Sequence, residues 1–252
     1  MTTHDTANYI KLLAEQYETE EFLVHDPSRF MHQVEGHTNR ETTAFVAAAL
    51  SYGSRKQFFP KISQIIEMAA GDVDGWVRRG DFLRHIPDDD RCFYRLYTNA
   101  HMRSFLAALR SLLAEHGSLG QFARQHGPDA GSVVEAFCQY FAAHDASPII
   151  PRSTSSACKR LCMYMRWMVR DGSPVDLGLW SSFIDKRTLI MPLDTHVLTE
   201  AAALGLISSR TASMSAARRL TATMLSIFPD DPLRGDFALF GKGVASQGEA
   251  EC

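Results

Sequence analysis

Lys159 and Asp194 are the two residues of this chain whose type and setting suit covalent chemistry. The lysine follows Ser153-Thr154-Ser155-Ser156-Ala157-Cys158. The hydroxyls there are credible N-caps, and the amine stands just inside the start of a helix expected to end near Arg170. The aspartate ends the apolar run Leu189-Ile190-Met191-Pro192-Leu193. Pro192 stops that segment, and Asp194 is a good N-cap for a helix over Thr195–Ala203. An amine and a carboxylate, each near a helix N-terminus, can meet across a cleft. A neutral lysine in such a pair can form an imine with a sugar carbon while the acid takes its proton.

The surroundings suit an anion. Arg152, Lys159, Arg160, Arg166 and Arg170 are five basic residues with no acidic one between positions 152 and 170, in a chain of formal net charge −3. Helix amides and the positive end of the dipole make a natural phosphate seat. Arg152, Arg160, Ser153, Ser155 and Ser156 are therefore expected to hold a nucleic-acid backbone. Arg166, on the stripe Lys159-Cys162-Met163-Arg166-Arg170, is counted with them. A positive field, with partial burial, disfavours the ammonium form that a nucleophilic lysine must shed. Met163, Tyr164 and Trp167 suggest a stacking wall for a base, although helical Met and aromatic stripes also serve as core. A solvated basic face without chemistry is the plain rival for this helix.

Helices must position these groups, and helical periodicity dominates the chain. Phe45, Val46, Ala49 and Leu50 share one face of a helix from about Arg40 to Tyr52, and Ile62, Ile65, Ile66 and Ala69 share another. Phe93, Leu96, Tyr97, Phe105, Leu106, Leu109 and Leu113 mark one long helix or two joined ones. Alternating β-branched segments are almost absent. The expectation is an all-α, two-lobed fold with a cleft between lobes. Residues 40–170 form one lobe ending in the lysine-bearing helix, and residues 1–39 plus 171–252 form a second carrying the aspartate.

A length of 252 residues, 45 % of them hydrophobic, allows a sizeable core and argues against a disordered chain. No apolar run is long enough to cross a bilayer, and Met1-Thr2-Thr3-His4-Asp5 lacks the regions of a signal peptide. Five scattered cysteines (Cys92, Cys138, Cys158, Cys162, Cys252) favour reduced thiols in the cytoplasm. Cys158 and Cys162 read as core thiols, and no metal or cofactor is expected.

Several segments, in order, resemble the helix-hairpin-helix DNA glycosylase superfamily, the group of endonuclease III and the 8-oxoguanine glycosylases. Phe45-Val46-Ala47-Ala48-Ala49-Leu50-Ser51-Tyr52-Gly53 is similar to the helix and turn carrying the strand-plugging loop there. Lys159 takes the place of the Schiff-base lysine, Pro192-Leu193-Asp194-Thr195-His196-Val197 resembles the signature around the catalytic aspartate, and Asp236-Phe237-Ala238-Leu239-Phe240-Gly241 resembles the last helix. The match runs over roughly residues 40 to 243. It implies base excision on double-stranded DNA by a nucleoid-associated monomer, with Lys159 and Asp194 catalytic and a flipped base between lobes. The 35-residue spacer (194 − 159) is closer to archaeal 8-oxoguanine glycosylases and so implies an oxidised purine. The chain also departs from the pattern. Pro151-Arg152-Ser153-Thr154-Ser155-Ser156 stands where a glycine-rich hairpin is usual, the four-cysteine iron–sulfur motif is absent, and the plugging position falls near Gly53. Tyr52 or Arg55 could plug instead.

Two rivals follow from the residues. The missing hairpin suits a noncatalytic lesion-binding protein on the same fold. His144-Asp145, with His101 and His116, could belong to a metal-dependent phosphohydrolase.

Overall fold

A computed structural model describes residues 3–208 and 211–250, with side chains from 4 to 208 and 211 to 245. Met1, Thr2 and Cys252 of the sequence reading lie outside the described residues. The chain is predominantly helical. In order it forms α1 (Thr3–Tyr17), α2 (Phe22–His25), a 3-10 turn at Pro27–His32, α3 (His37–Leu50), α4 (Arg55–Met68), α5 (Val73–Arg79) and α6 (Phe82–His85). A hairpin of β1 (Cys92–Tyr94) and β2 (Tyr97–Thr98) leads into α7 (Asn99–His116), α8 (Leu119–Gln125) and α9 (Ala130–Ala143). Then come α10 (Lys159–Val169), a 3-10 turn at Lys186–Thr188, α11 (Thr195–Ala203), α12 (Met214–Ile227) and α13 (Arg234–Ala250).

The chain divides into two compact units, residues 1–24, 129–131 and 154–252, and residues 25–128 and 132–153. These boundaries differ from the expected lobes of 40–170 and 1–39 plus 171–252. The lysine-bearing α10 belongs with the aspartate-bearing α11 in the first unit, where every α10 residue from Leu161 to Val169 is buried, Arg166 included.

In the first unit, α1 and α11 lie against α13. Glycines on α13 let them approach closely. A Cβ on Gly241 would come 2.3 Å from Tyr17 Cγ, and one on Gly243 would come 2.9 Å from His196 Cβ. Trp167, Tyr164, Trp180, Leu220 and Phe237 are buried in this unit, with Tyr164 edge-on to Trp180 at 5.3 Å.

In the second unit α3 is a central helix. Phe45 was expected on a single apolar face, yet every residue from Glu41 to Leu50 is buried. The alanines at 44, 47, 48 and 49 keep the helix thin enough for neighbours on several sides, and Phe45 meets Phe105, Phe137 and Phe141 at 5.2–6.0 Å. The helix expected through Phe93, Leu96 and Tyr97 is instead the β1–β2 hairpin, and α7 starts only at Asn99 behind a Thr98–His101 capping box. The aromatic run Phe93-Tyr94 with Tyr97-Thr98 has the β propensity that the apolar spacing concealed.

Candidate functional site

Local folding brings Asp194 to its place. Leu189, Ile190, Met191 and Leu193 are buried, and the Met191 amide donates to Thr221 Oγ1 on α12 at 2.9 Å. This fastens the run to the core. Asp194 then caps α11, its Oδ1 accepting from the Val197 amide at 2.9 Å. Capping fixes the carboxylate rotamer and leaves Oδ2 for another partner.

That partner is Lys159, whose Nζ lies 3.0 Å from Asp194 Oδ2. The side chains are 35 % and 12 % exposed, so the pair is reachable from solvent without being bathed in it. Lys159 is the first residue of α10, as expected, but the cap differs from expectation. Cys158, in a left-handed conformation at φ 46°, is the N-cap residue, and its side chain makes no capping hydrogen bond. Ser153 and Ser155–Ser156 lie in the turn ahead. The Ser156 hydroxyl accepts locally from the Cys158 amide at 3.4 Å instead of reaching into the helix. Cys158 and Cys162 are buried free thiols, and burial pushes the Cys162 thiol up.

Arg166 corrects the sequence reading. It is buried and cannot meet a DNA phosphate, because Asp176 and Asp236 take its guanidinium at 3.2 and 2.5 Å. Arg170 is equally buried, with Glu18 at 2.6 Å, Asp176 at 2.5 Å and Asp231 at 2.8 Å. Phe237 lies 4.5 Å from the Arg166 guanidinium and 5.1 Å from that of Arg170. The expected positive field along α10 is therefore neutralised over its last turns. Local charge counting missed these acids because three of the four lie far away in sequence. Asp176, a few residues past the helix, was the one visible signal.

Met163 and Trp167 are buried too, so neither presents an open face for a base. The Trp167 indole N–H has no hydrogen-bond partner among the described residues. Of the remaining candidates, Ser155 and Ser156 are exposed and Arg160 is half-buried, all in the unit that holds Lys159 and Asp194. Arg152, Ser153, Tyr52 and Arg55 belong to the other unit, where Arg152 and Tyr52 are exposed and Arg55 opens α4. His196 packs edge-on to Phe240 at 5.7 Å.

The phosphohydrolase histidines have separate structural jobs. His101 completes the α7 capping box, His116 bonds Gln125 at 2.8 Å, and His144 stacks on Tyr140 at 4.2 Å. Among the described residues no group of three or more His, Cys, Asp or Glu side chains could hold a metal ion. A shallow depression of about 400 Å³ lies at the other end of α10, lined in part by Asp171, Ser181, Asp185 and Lys186, and neither Lys159 nor Asp194 lines it. No helix among the described residues is long and apolar enough to cross a membrane.

Neither a curated protein nor a solved structure matches the chain. One family model, described as a protein of unknown function (DUF2400), matches residues 26–245, and with well over half of its length inside that match the chain belongs to the DUF2400 family.

Proposed function

We propose that this protein is a base-excision DNA glycosylase with an associated abasic-site lyase activity, acting on an oxidised purine such as 8-oxoguanine in double-stranded DNA. The observation that carries the reading is the 3.0 Å contact between Lys159 Nζ and a carboxylate oxygen left over from capping α11.

Asp194 Oδ2 takes a proton from the lysine ammonium, and the neutral amine attacks C1′ of the flipped nucleotide. The new N–C1′ bond forms as the glycosidic bond breaks, its electron pair leaving with the base, which takes up a proton. The attacking nitrogen gives up a proton to the departing base, and its freed lone pair then opens the C1′–O4′ bond, O4′ taking the proton held by Asp194, to give a protonated imine. Loss of a proton from C2′ expels the 3′ phosphate and nicks the strand. The fixed rotamer of Asp194 lets it stabilise positive charge on the sugar without reorganising. Ser155, Ser156 and Arg160, which share the unit, are assigned to backbone phosphates.

Borohydride reduces such an imine to a stable crosslink. Duplexes carrying 8-oxoguanine or an abasic site should become covalently attached to the protein in its presence, and Lys159→Ala should abolish the adduct. If neither duplex is trapped, the lyase proposal is wrong. The burial of Met163 and Trp167 favours a second reading, a noncatalytic lesion-binding protein. It requires binding to damaged duplex that survives Lys159→Ala, with no base released from any member of a damaged-base panel.

A further inference from the structure

The depression at the C-terminal end of α10 lies about 15 Å along the helix from Lys159. Residues 177–186 fold back over that end and take up its carbonyls. The Trp167 carbonyl accepts from the Leu177 amide at 2.8 Å, and the Met168 carbonyl accepts from the Trp180 amide at 2.7 Å. Val169 is the exception. Its carbonyl has no hydrogen-bond partner among the described residues, and the residue lines the depression. A carbonyl left over at a helix C-terminus stands at the negative end of the dipole and calls for a donor.

Gly178 brings the returning loop close. It sits at φ 62°, and a Cβ there would meet Asp171 Cα at 2.8 Å and the Arg170 carbonyl oxygen at 3.1 Å. Glycine alone suits both the backbone angle and that approach. Of the lining residues, Val169 and Ile184 are buried and apolar, and Phe183 is half-buried. Ser181 and Ser182 are exposed, and neither hydroxyl has a hydrogen-bond partner among the described residues.

The lining charges are paired. Lys186 Nζ lies 2.8 Å from Asp171 Oδ1, with the side chains 34 % and 55 % exposed. Asp185 Oδ1 and Oδ2 accept from the Arg187 guanidinium at 3.0 and 2.6 Å. An ion pair as exposed as that of Asp171 and Lys186 is weak, so a ligand bearing both charges can replace it at little cost.

This pattern selects among ligands. A phosphate dianion would face the carboxylates of Asp171 and Asp185. A metal ion would find only those two acids, and no group of three metal-ligating side chains exists among the described residues. A wholly apolar ligand would leave the Val169 carbonyl and the serine hydroxyls without partners. An ammonium and a carboxylate on one carbon meet every demand. The ammonium donates to the Val169 carbonyl and Asp171, and the carboxylate accepts from Lys186 and the serine hydroxyls. An apolar side chain then covers Phe183 and Ile184. The volume of about 400 Å³ is in the range of small-molecule sites.

We propose that this depression binds a free α-amino acid with an apolar side chain, whose two charges replace the contact between Asp171 and Lys186. The site is separate from the Lys159–Asp194 pair and requires neither DNA nor the lysine chemistry.

The full chain is titrated calorimetrically with L-valine, L-leucine, L-isoleucine, L-methionine and L-phenylalanine. The tightest of the five is then compared with its N-acetyl and carboxamide derivatives, which lack the ammonium and the carboxylate. At least one amino acid should bind with a millimolar or lower Kd, and each derivative should bind about tenfold more weakly. Asp171→Asn and Lys186→Met should each weaken the parent about tenfold, and Leu12→Ser on exposed α1 should not change it. Should either charge variant fail to fold, Ser182→Ala, which removes one exposed hydroxyl and should cost about threefold, decides together with the derivatives. Absence of heat with all five amino acids overturns the site. So do derivatives that bind as well as the parent, or unchanged affinity in either folded charge variant. Borohydride trapping reads out separately: its failure leaves amino-acid binding untouched, and loss of amino-acid binding leaves trapping untouched.

Discussion

At the first turn of α10, Lys159 faces a single carboxylate and both side chains keep contact with water. About two turns further on, Arg166 and Arg170 are sealed from solvent and share Glu18, Asp176, Asp231 and Asp236 among them. One helix thus handles positive charge in two ways. The buried arginines are over-determined, each with at least two acids and with Phe237 against the guanidinium. Removing an arginine there strands its acids in low dielectric, which is costly. The lysine has one carboxylate partner and keeps contact with solvent, so losing that contact costs little. In the proposed reaction, the fixed end of α10 anchors the amine at the other.

The sharpest way to break the comparison is at Lys159. Lys159→Ala should remove the borohydride adduct altogether, while the thermal midpoint stays close to that of the unaltered chain because an exposed pair contributes at most about 1 kcal/mol. A large fall in stability would mean that both ends of α10 serve the fold. At the other end, Arg170→Met should destabilise by about 3–5 kcal/mol, read from urea unfolding. Asp231 and Glu18 are then left partly buried without their main cation. If Arg170→Met unfolds at an unchanged urea concentration, the buried network is not what anchors the helix.

Asp194 caps α11 and, in the proposed reaction, takes the proton of Lys159, and two substitutions separate these roles. Asp194→Asn keeps a capping oxygen for the Val197 amide but loses the proton acceptor, so cleavage should fall by about 10²–10⁴ with stability nearly unchanged. Asp194→Ala loses the cap as well and should cost about 1 kcal/mol more. If Asp194→Asn cleaves at the unaltered rate, the carboxylate is a cap only.

What could be read from the sequence follows from the range of the forces involved. The α11 boundaries were legible because Pro192 and Asp194 act on their immediate neighbours. The start of α10 was displaced in the reading because Ser153 to Ser156 look like caps, and only the left-handed backbone at Cys158 shows that the helix begins later. Arg166 reads as DNA-facing charge because periodicity gives a stripe without saying whether protein or water covers it. The deciding acids at 18, 231 and 236 come from just past α1, the approach to α13 and the first turn of α13, which no local window contains. The β-hairpin was hidden by an apolar spacing at Phe93, Leu96 and Tyr97 that fits a helix as well.

The smallest predicted effect concerns Glu18, which with Asp231 lies at the rim of the buried network. Burial alone would raise its pKa, but Arg170 and Arg234 at 2.6 and 3.1 Å outweigh that and hold it below the ordinary value of 4.5. A carboxyl depressed in the folded state contributes stability that is fully present above its unfolded pKa and is lost as pH falls through the folded one. Near neutral pH, Glu18→Gln should therefore lower the urea midpoint only modestly, by about 1 kcal/mol, because Asp176 and Asp231 still hold Arg170. As pH drops below 4.5, the unaltered chain protonates Glu18 and the two midpoints should converge. Lys159→Ala over the same range should keep a constant offset with respect to Glu18, since it does not touch that carboxyl. A Glu18→Gln offset that stays constant into acid would show that the residue acts through packing, and that the charge of Arg170 is balanced by Asp176 and Asp231 alone.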